Sequence, residues 1–188
     1  MQAERTALLV MDVQVGIVER LGDPAMVERV AAAIAAARTA GVRVIYVKVS
    51  FRHGYPEVSP RNKSFSQISS SGQLIQGESS TLHEAVKPAD GEIVVTKLRV
   101  SAFAGSDLGV ILRAGEIDSL VLTGIATSGV VLSTLRQAAD LDFELTVLAD
   151  ACADGDEEVH RVLTEKVFPR QALVTTVADW ATRLNHGA

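Results

Sequence analysis

Two charged residues stand at the ends of apolar segments that are typical of buried strands. Asp12 directly follows the apolar run 7–11, and Lys97 ends the run 92–97. In an open α/β sheet the ligand site lies beyond the carboxyl ends of the strands, so neighbouring strands would bring both side chains to one cleft. A carboxylate beside an ammonium group in a half-buried cleft is a common acid–base arrangement, although a structural ion pair has the same pattern. Asp12 and Lys97 are therefore candidate catalytic residues.

The third candidate position lies in residues 119–134, where a strand pattern changes directly into a helix pattern. An apolar run meets Gly124, and helical spacing begins near Thr127 or Ser128. Backbone N–H groups and the helix dipole gather at such a junction and favour an anion. A nucleophile in the first helical turn would be activated there. Position 130 is a valine, however, and Val130 can neither ionise nor attack a substrate.

Short apolar runs alternate with helical patterns along the rest of the chain. This alternation is typical of an α/β fold in which a parallel sheet is covered by helices on both faces. We predict one domain over residues 1–188, with strands at 7–11, 42–49, 92–97, 119–125, 144–148 and 172–177. The predicted helices cover 24–39, 107–114, 128–141 and 156–168. Asp23 and Pro24 form an N-cap and first-turn pair, and Gly41 ends the same helix.

Residues 50–89 form a long segment rich in Ser, Gly, Pro and Asn. A loop of this length in a compact domain is usually functional or partly disordered. Two interpretations stay open: a surface excursion, and a lid or subunit-contact arm over the C-terminal edge of the sheet. We expect one helical turn or two within 81–86. Phe51, Tyr55 and Phe65 lie in this segment, and together with Phe103 they could wall a pocket, which favours the lid or interface.

Three short motifs in order resemble the isochorismatase-like (cysteine hydrolase) superfamily, from about residue 7 to residue 181. Members of that superfamily carry a strand-end Asp-x-Gln, a strand-end Lys followed by Ser-Ala-Phe, and a Gly-Val/Ile-Ala-Thr-x-x-Cys turn. The matching segments of this chain are Asp12-Val13-Gln14, Lys97 with Ser101-Ala102-Phe103, and Gly124-Ile125-Ala126-Thr127-Ser128-Gly129-Val130. The resemblance implies a Rossmann-like three-layer α/β/α sandwich around a mostly parallel six-stranded sheet. It also implies a homodimer or a homotetramer.

The resemblance implies a role for each matched position. Asp12 would be the proton donor, Lys97 would orient it and offset charge, and Val130 occupies the position of the nucleophilic cysteine. A cis peptide bond that shapes the oxyanion hole of the family would join Ile125 and Ala126. The predicted substrate-binding residues are Gln14, Arg99, Phe103, Ser128 and Gly129.

Valine at position 130 excludes the acyl-enzyme chemistry of the amide-hydrolysing members, which need a thiolate. Cleavage of a vinyl ether needs no nucleophilic side chain, because a general acid protonates the enol carbon and water captures the oxocarbenium ion. Our leading hypothesis is therefore a hydrolase of isochorismate, or of a related small carboxylate, without a covalent intermediate. An adjacent lysine lowers a carboxyl pKa, so burial must outweigh it if Asp12 is to hold a proton.

Two other functions fit the same residues. The chain could be a noncatalytic ligand-binding protein that has lost its nucleophile. It could also be an amidase or esterase in which Asp12 activates water as a base, and a pH–rate profile separates that mechanism from general acid catalysis.

Several cations lie near the predicted site: Arg52, Arg61, Lys63 and Arg99. They are either scattered surface charge or a means of capturing a carboxylate substrate. Arg99 is the preferred candidate because it lies two residues after Lys97 on an ordered edge.

We predict no cofactor and no metal. His53, His83, His160 and His186 are scattered, and none forms a ligand spacing with another. Gly124 has no partner glycines of the kind found in a phosphate-binding loop. The single cysteine, Cys152, is predicted to be a packed apolar residue whose thiol pKa is raised by nearby aspartates.

Composition limits the possible partners. A net charge of −5 without a basic stripe argues against nucleic acid binding. No apolar run approaches the length of a membrane span, and no secretory signal pattern is visible. A lone cysteine forms no intrachain disulfide and fits a reducing cytosol. We expect a cytoplasmic protein that acts on a small-molecule substrate and binds neither nucleic acid nor membrane.

Overall fold

Six strands form one all-parallel sheet in the computed structural model, which describes residues 2–21, 23–77 and 80–186. The strands are β1 (Thr6–Met11), β2 (Arg43–Val49), β3 (Ile93–Lys97), β4 (Ser119–Ile125), β5 (Glu144–Ala153) and β6 (Leu173–Thr175). Their order across the sheet is β3-β2-β1-β4-β5-β6. The predicted parallel six-stranded sheet is confirmed, and the strand order places β1 and β4 at its centre.

Six of the seven α-helices in the described ranges lie between strands, and the seventh follows β6. They are α1 (Val15–Leu21), α2 (Pro24–Thr39), α3 (Lys63–Ser70), α4 (Leu108–Ala114), α5 (Leu132–Asp140), α6 (Glu157–Val162) and α7 (Val177–His186). Asp23 caps α2 by accepting a hydrogen bond from the Met26 N–H, and Gly41 follows the helix with a positive φ, as predicted. None of the described helices is long and apolar enough to cross a lipid bilayer.

Two apolar clusters lie on opposite faces of the sheet, which confirms the three-layer arrangement. Along β1, Leu9 and Met11 pack into the cluster that contains residues of α4 and α5. Leu8 and Val10 alternate with them and pack into the cluster that contains residues of α2 and α7. This alternation follows from the two-residue repeat of a strand. Because both faces are buried, the strand is a continuous apolar run.

Three helices were not predicted from the sequence, namely α1, α3 and α7. α1 is short and begins almost directly after β1. α3 lies in the segment 50–89, where polar residues obscure the helical spacing. α7 begins at Val177, where we predicted the end of a strand; the Thr176 hydroxyl accepts a hydrogen bond from the Asp179 N–H, as expected of a helix N-cap.

The junction after β4 differs from the predicted continuous helix. Residues Thr127–Val131 form a wide π-helical turn in which Gly129 has non-helical φ and ψ angles of −95° and −105°, and α5 begins only at Leu132. β5 also continues to Ala153 rather than ending at residue 148. It does so because β4 resumes its pairing with β5 after a register shift between Leu122 and Gly124.

The described parts of the segment 50–89 pack against the carboxyl edge of the sheet. Phe51 and Phe65 form a small apolar cluster with Val49 and Leu74. The Phe51 N–H donates to the Leu74 carbonyl oxygen at 2.8 Å, so the segment closes on itself. One helical turn, Glu84–Val86, lies where one turn or two were expected.

Candidate active site

Asp12 and Lys97 form a buried ion pair at the carboxyl edge of the sheet. Lys97 Nζ lies 2.9 Å from Asp12 Oδ2, and the side chains are 2% and 7% exposed. β2 lies between β1 and β3, so the long Lys97 side chain reaches past the end of β2 to Asp12. Lys97 Nζ also donates to the Arg99 carbonyl oxygen at 3.0 Å. Asp12 and Lys97 therefore come into contact, as expected for residues at the ends of parallel strands that share one edge of the sheet.

Burial raises the pKa of Asp12 above its ordinary value. The positive charge of Lys97 and its hydrogen bond act in the opposite direction, but desolvation is the larger effect. Asp12 Oδ1 is buried and has no hydrogen-bond partner in the described part of the chain. The environment of Asp12 therefore raises the pKa of its carboxyl group above the ordinary value.

The turn after β4 forms the opposite side of the site. The peptide bond between Ile125 and Ala126 is cis, at the position that the motif implies. The N–H groups of Gly129 and Val131 both donate to the Ala126 carbonyl oxygen. The Ser128 N–H donates to Asp154 Oδ2 at 2.7 Å. Three backbone N–H donors of this turn are thus already hydrogen-bonded within the protein, and the Asp154 carboxylate accepts one of these hydrogen bonds.

A cavity of about 660 Å³ brings the two sides together, a volume suited to a small ligand. Its polar lining consists of Asp12, Arg20, Ser64, Lys97, Ser128 and Ser133. The rest of its lining consists of Ile17, Val49, Phe65, Ile68, Leu74, Val100, Ile125, Ala126, Gly129, Val130 and Gly155. Asp12, Lys97 and Val130 therefore converge as the motifs predict, and the segment 50–89 supplies one wall through α3.

The family model of the isochorismatase domain matches residues 6–179 of this chain. The chain belongs to the isochorismatase family. Members of this family are hydrolases, so the cavity is a candidate hydrolase active site.

Relatives of this isochorismatase-family chain extend over most of its length. The isochorismatase family protein YecD of Escherichia coli is 33% identical over 184 residues, which cover 95% of this chain and 96% of that protein. Ureidoacrylate amidohydrolase RutB of Stutzerimonas stutzeri is 34% identical and covers 84% of this chain and 73% of its own length. A cysteine hydrolase structure from Pseudomonas syringae superposes with a TM-score of 0.92 at 24% identity, covering 100% of this chain and 96% of that one, and confirms the fold.

Three predicted substrate-binding residues do not line the cavity of this isochorismatase-family chain. Gln14 is fully buried, and its side-chain amide bonds both backbone groups of Val49 and the Ser80 carbonyl oxygen. It therefore fastens the segment 50–89 to the sheet. Phe103 lies in a different cavity, with its ring centroid 6.1 Å from that of Phe143. The sequence could not separate these roles, because a polar or aromatic residue at a motif position can serve packing as readily as binding.

Arg99 is the third of these residues. Its guanidinium donates to the carbonyl oxygens of Leu98 and Glu57 and lies 6.0 Å from the centroid of the Phe65 ring. The side chain therefore supports the wall formed by α3, and its backbone carbonyl oxygen receives the Lys97 hydrogen bond. Its closeness to Lys97 in the sequence correctly predicted that Arg99 lies near the site. In the structure, however, its side chain lies behind the cavity wall.

Arg20 lines the cavity and was missed at the sequence level. It lies on α1, one helical turn after Ile17, and both side chains face the same cavity. Arg20 Nε donates to the Gly16 carbonyl oxygen at 3.0 Å, and Nη1 donates to Gln73 Oε1 at 2.9 Å. The i,i+3 spacing of Ile17 and Arg20 was a usable signal, but only once a helix is recognised directly after β1.

Cys152 lacks the properties of a nucleophilic thiol. Burial raises the pKa of its thiol to about 12, so almost no thiolate forms near neutral pH. Its Sγ lies 3.9 Å from the Leu122 carbonyl oxygen, and the residue borders a separate cavity. Within the described ranges, no three His, Cys, Asp or Glu side chains are grouped as metal ligands.

Proposed function

We propose that this isochorismatase-family hydrolase cleaves its substrate by general acid catalysis from Asp12, without a covalent intermediate. The observation that carries the proposal is the burial of Asp12, which favours its protonated form at the edge of the cavity. Val130 faces the same cavity at the motif position of the family's nucleophile and has no reactive atom. The chemistry that remains is proton transfer to the substrate followed by attack of water.

A vinyl ether on a small carboxylate suits this chemistry, and isochorismate is the narrowest candidate. The Asp12 proton transfers to the terminal enol carbon, which consumes the C=C π bond and leaves an oxocarbenium ion. Water adds to the cationic carbon and returns one proton to the Asp12 carboxylate. The hemiketal then collapses as its hydroxyl proton passes to the departing oxygen. The products are pyruvate and 2,3-dihydro-2,3-dihydroxybenzoate, and Asp12 ends the cycle protonated.

Lys97 positions Asp12 and stabilises the carboxylate that forms when the proton leaves. Its Nζ atom contacts Asp12 Oδ2 directly, so its charge offsets the negative charge that develops during proton transfer. The second contact of Nζ, to the Arg99 carbonyl oxygen, holds the ammonium group in place. Lys97 thus stabilises the Asp12 carboxylate that forms after proton transfer, while burial stabilises the protonated Asp12 from which the transfer starts.

A second candidate function follows from the relatives named ureidoacrylate amidohydrolase, which are up to 38% identical over part of this chain and 34% over 84% of it. In that function, Asp12 would act as a base that activates water against an amide or ester. The base mechanism requires the ionised carboxylate, which burial disfavours. The two functions therefore demand opposite protonation states of the same residue.

Pyruvate release from isochorismate, coupled to NADH oxidation by lactate dehydrogenase, tests the leading function. We expect turnover by the wild type and by Asp90→Asn, an exposed carboxylate variant outside the cavity. Asp12→Asn should show no turnover above the uncatalysed rate. Absence of turnover by the wild type would overturn the isochorismate assignment.

The pH dependence of kcat separates the acid from the base mechanism. General acid catalysis predicts a rate that falls as the pH rises through the Asp12 pKa, because the protonated form is lost. A base mechanism predicts a rate that rises over the same range. Ligand binding without turnover of any tested enol ether, amide or ester would instead indicate a noncatalytic protein.

A further inference from the structure

We propose that Arg20 binds a carboxylate of the substrate, and that the substrate class of this cavity is small carboxylates with an apolar body. This inference rests on the proposed function, since it concerns the same cavity. It assigns the anion-binding role to a residue on α1 rather than to Arg99 or to the turn after β4. Charge, geometry and the apolar lining each support it.

The charge argument concerns the two cations that line the cavity. Lys97 is buried, and its ammonium group is held by Asp12 and by a backbone carbonyl oxygen. Arg20 is exposed to the cavity and to solvent and forms no ion pair with any described residue. No described residue therefore neutralises its positive charge. A ligand carboxylate at this point gains a charge-assisted contact without displacing a carboxylate of the described residues.

The geometry holds the guanidinium ready for a ligand. Nε and Nη1 are fixed by the Gly16 carbonyl oxygen and by Gln73 Oε1, while Nη2 has no hydrogen bond with the described residues. The backbone of Gln73 is also held in place, since its main-chain carbonyl oxygen accepts a hydrogen bond from the Tyr55 hydroxyl at 2.7 Å. A pre-oriented planar guanidinium loses less side-chain entropy when it binds an anion. Nη2 is thus the free donor of a fixed group.

The other possible anion positions near the cavity are already used. The Ser128 N–H is bonded to Asp154, whose negative charge would repel a ligand carboxylate placed at the turn. Arg99 donates to two backbone carbonyl oxygens behind the wall, and Arg52 pairs with Glu57. Only one unpaired cationic group among the described lining residues faces the ligand. Arg20 is therefore the group that a ligand carboxylate would contact.

The apolar wall defines the rest of the ligand. Ile17 lies one turn before Arg20, and Phe65, Ile68 and Leu74 form the wall contributed by the segment 50–89. A carboxylate at Arg20 places the adjoining part of the ligand against these side chains. Burial of an apolar ring or chain there adds favourable free energy in proportion to the area covered.

Binding of benzoate and of its uncharged analogue benzamide tests the inference by isothermal titration calorimetry. Benzoate should bind the wild type at millimolar or lower concentration, and Arg20→Ala should weaken it about 10- to 100-fold, as expected for a charge-assisted hydrogen bond. Arg20→Lys should fall between them. Arg113→Ala, which removes an arginine on α4 outside the cavity, should bind benzoate like the wild type. Benzamide should bind the wild type and Arg20→Ala equally.

Three results would overturn the inference. They are the absence of benzoate binding to the wild type at millimolar concentration, unchanged benzoate binding by Arg20→Ala, and an equal loss of benzamide binding in that variant. The last result would indicate a distorted cavity rather than a lost charge.

The same variants distinguish this inference from the proposed function. Arg20-dependent benzoate binding without pyruvate release would leave the carboxylate site standing and remove the proposed reaction. Asp12-dependent turnover that is insensitive to Arg20→Ala would do the reverse.

Discussion

The decisive residue of the site is Asp12, where two opposing effects on one carboxyl group meet. Desolvation raises its pKa and the neighbouring Lys97 lowers it, and desolvation is the larger of the two effects. The sequence alone does not show which of the two effects on the Asp12 pKa is larger. The positions of Asp12 and Lys97 at strand ends could be predicted from the sequence, whereas the extent of their burial could not.

The raised pKa of Asp12 makes the stability of the protein depend on pH. The folded state binds this proton more tightly than the unfolded chain, whose aspartate pKa is about 3.9. The Asp12 contribution is therefore fully present below that value and is lost as the pH rises through the folded-state pKa. We expect Asp12→Asn to gain free energy of unfolding relative to the wild type as the pH increases over this range. Urea unfolding of both proteins at a series of pH values measures the difference.

The opposite trend would show that Lys97 dominates. In that case the wild type would gain stability relative to Asp12→Asn as the pH rises from about 2 to 5, as for an ion-paired aspartate. Asp90→Asn serves as the control for the removal of an exposed carboxylate.

Val130→Cys should create a reactive thiol where the wild type has none. Position 130 borders the cavity, in the first turn before α5, and a helix N-terminus lowers a thiol pKa. We expect rapid alkylation of the variant by iodoacetamide at residue 130, located by peptide mass spectrometry. Cys152 provides an internal control, because its pKa of about 12 and its burial should leave it unlabelled. Fast labelling of Cys152 in the wild type would restore that residue as a candidate nucleophile.

At the scale of elements, the close approach of β1 and β4 sets the position of the site. Gly124 has a φ of 139°, and a Cβ atom there would lie 2.1 Å from the Met11 carbonyl oxygen. Any side chain would push β4 away from the strand end that presents Asp12. The apolar strands and the glycine were visible in the sequence, but the register shift that gives Gly124 its role arises from pairing with β5.

Gly124→Ala should therefore be strongly destabilising. Strain at this φ alone costs about 1–3 kcal/mol, and the backbone clash adds to it. We expect the free energy of unfolding, measured in urea, to fall by at least that amount. Gly155→Ala is the matched control, because a Cβ there has no atom within 4 Å, and its stability should stay within about 0.5 kcal/mol of the wild type. Equal stability of the two variants would contradict the close approach as the reason for this glycine.

At the scale of the whole molecule, the helix and sheet layers could be predicted from the sequence, whereas the packing of the segment 50–89 could not. The apolar runs with helical patterns between them predicted a parallel sheet covered by helices, and the central strands β1 and β4 are buried on both faces. The ends of those runs placed Asp12, Lys97 and the turn at one edge. The predicted homodimer or homotetramer stays a prediction, which light scattering on the purified protein measures.

The sequence was sufficient for the α/β class, the family resemblance and the three motif positions, since each depends on local periodicity or on short segments in order. The cavity lining was not accessible in this way. Gln14, Arg99 and Phe103 point away from the ligand space, while Arg20 enters it from a helix with no clear sequence signal. Side-chain direction and burial depend on contacts between segments that are distant in the chain. The protonation preference of Asp12 depends on the same contacts, because burial is a property of the assembled fold and not of any one segment.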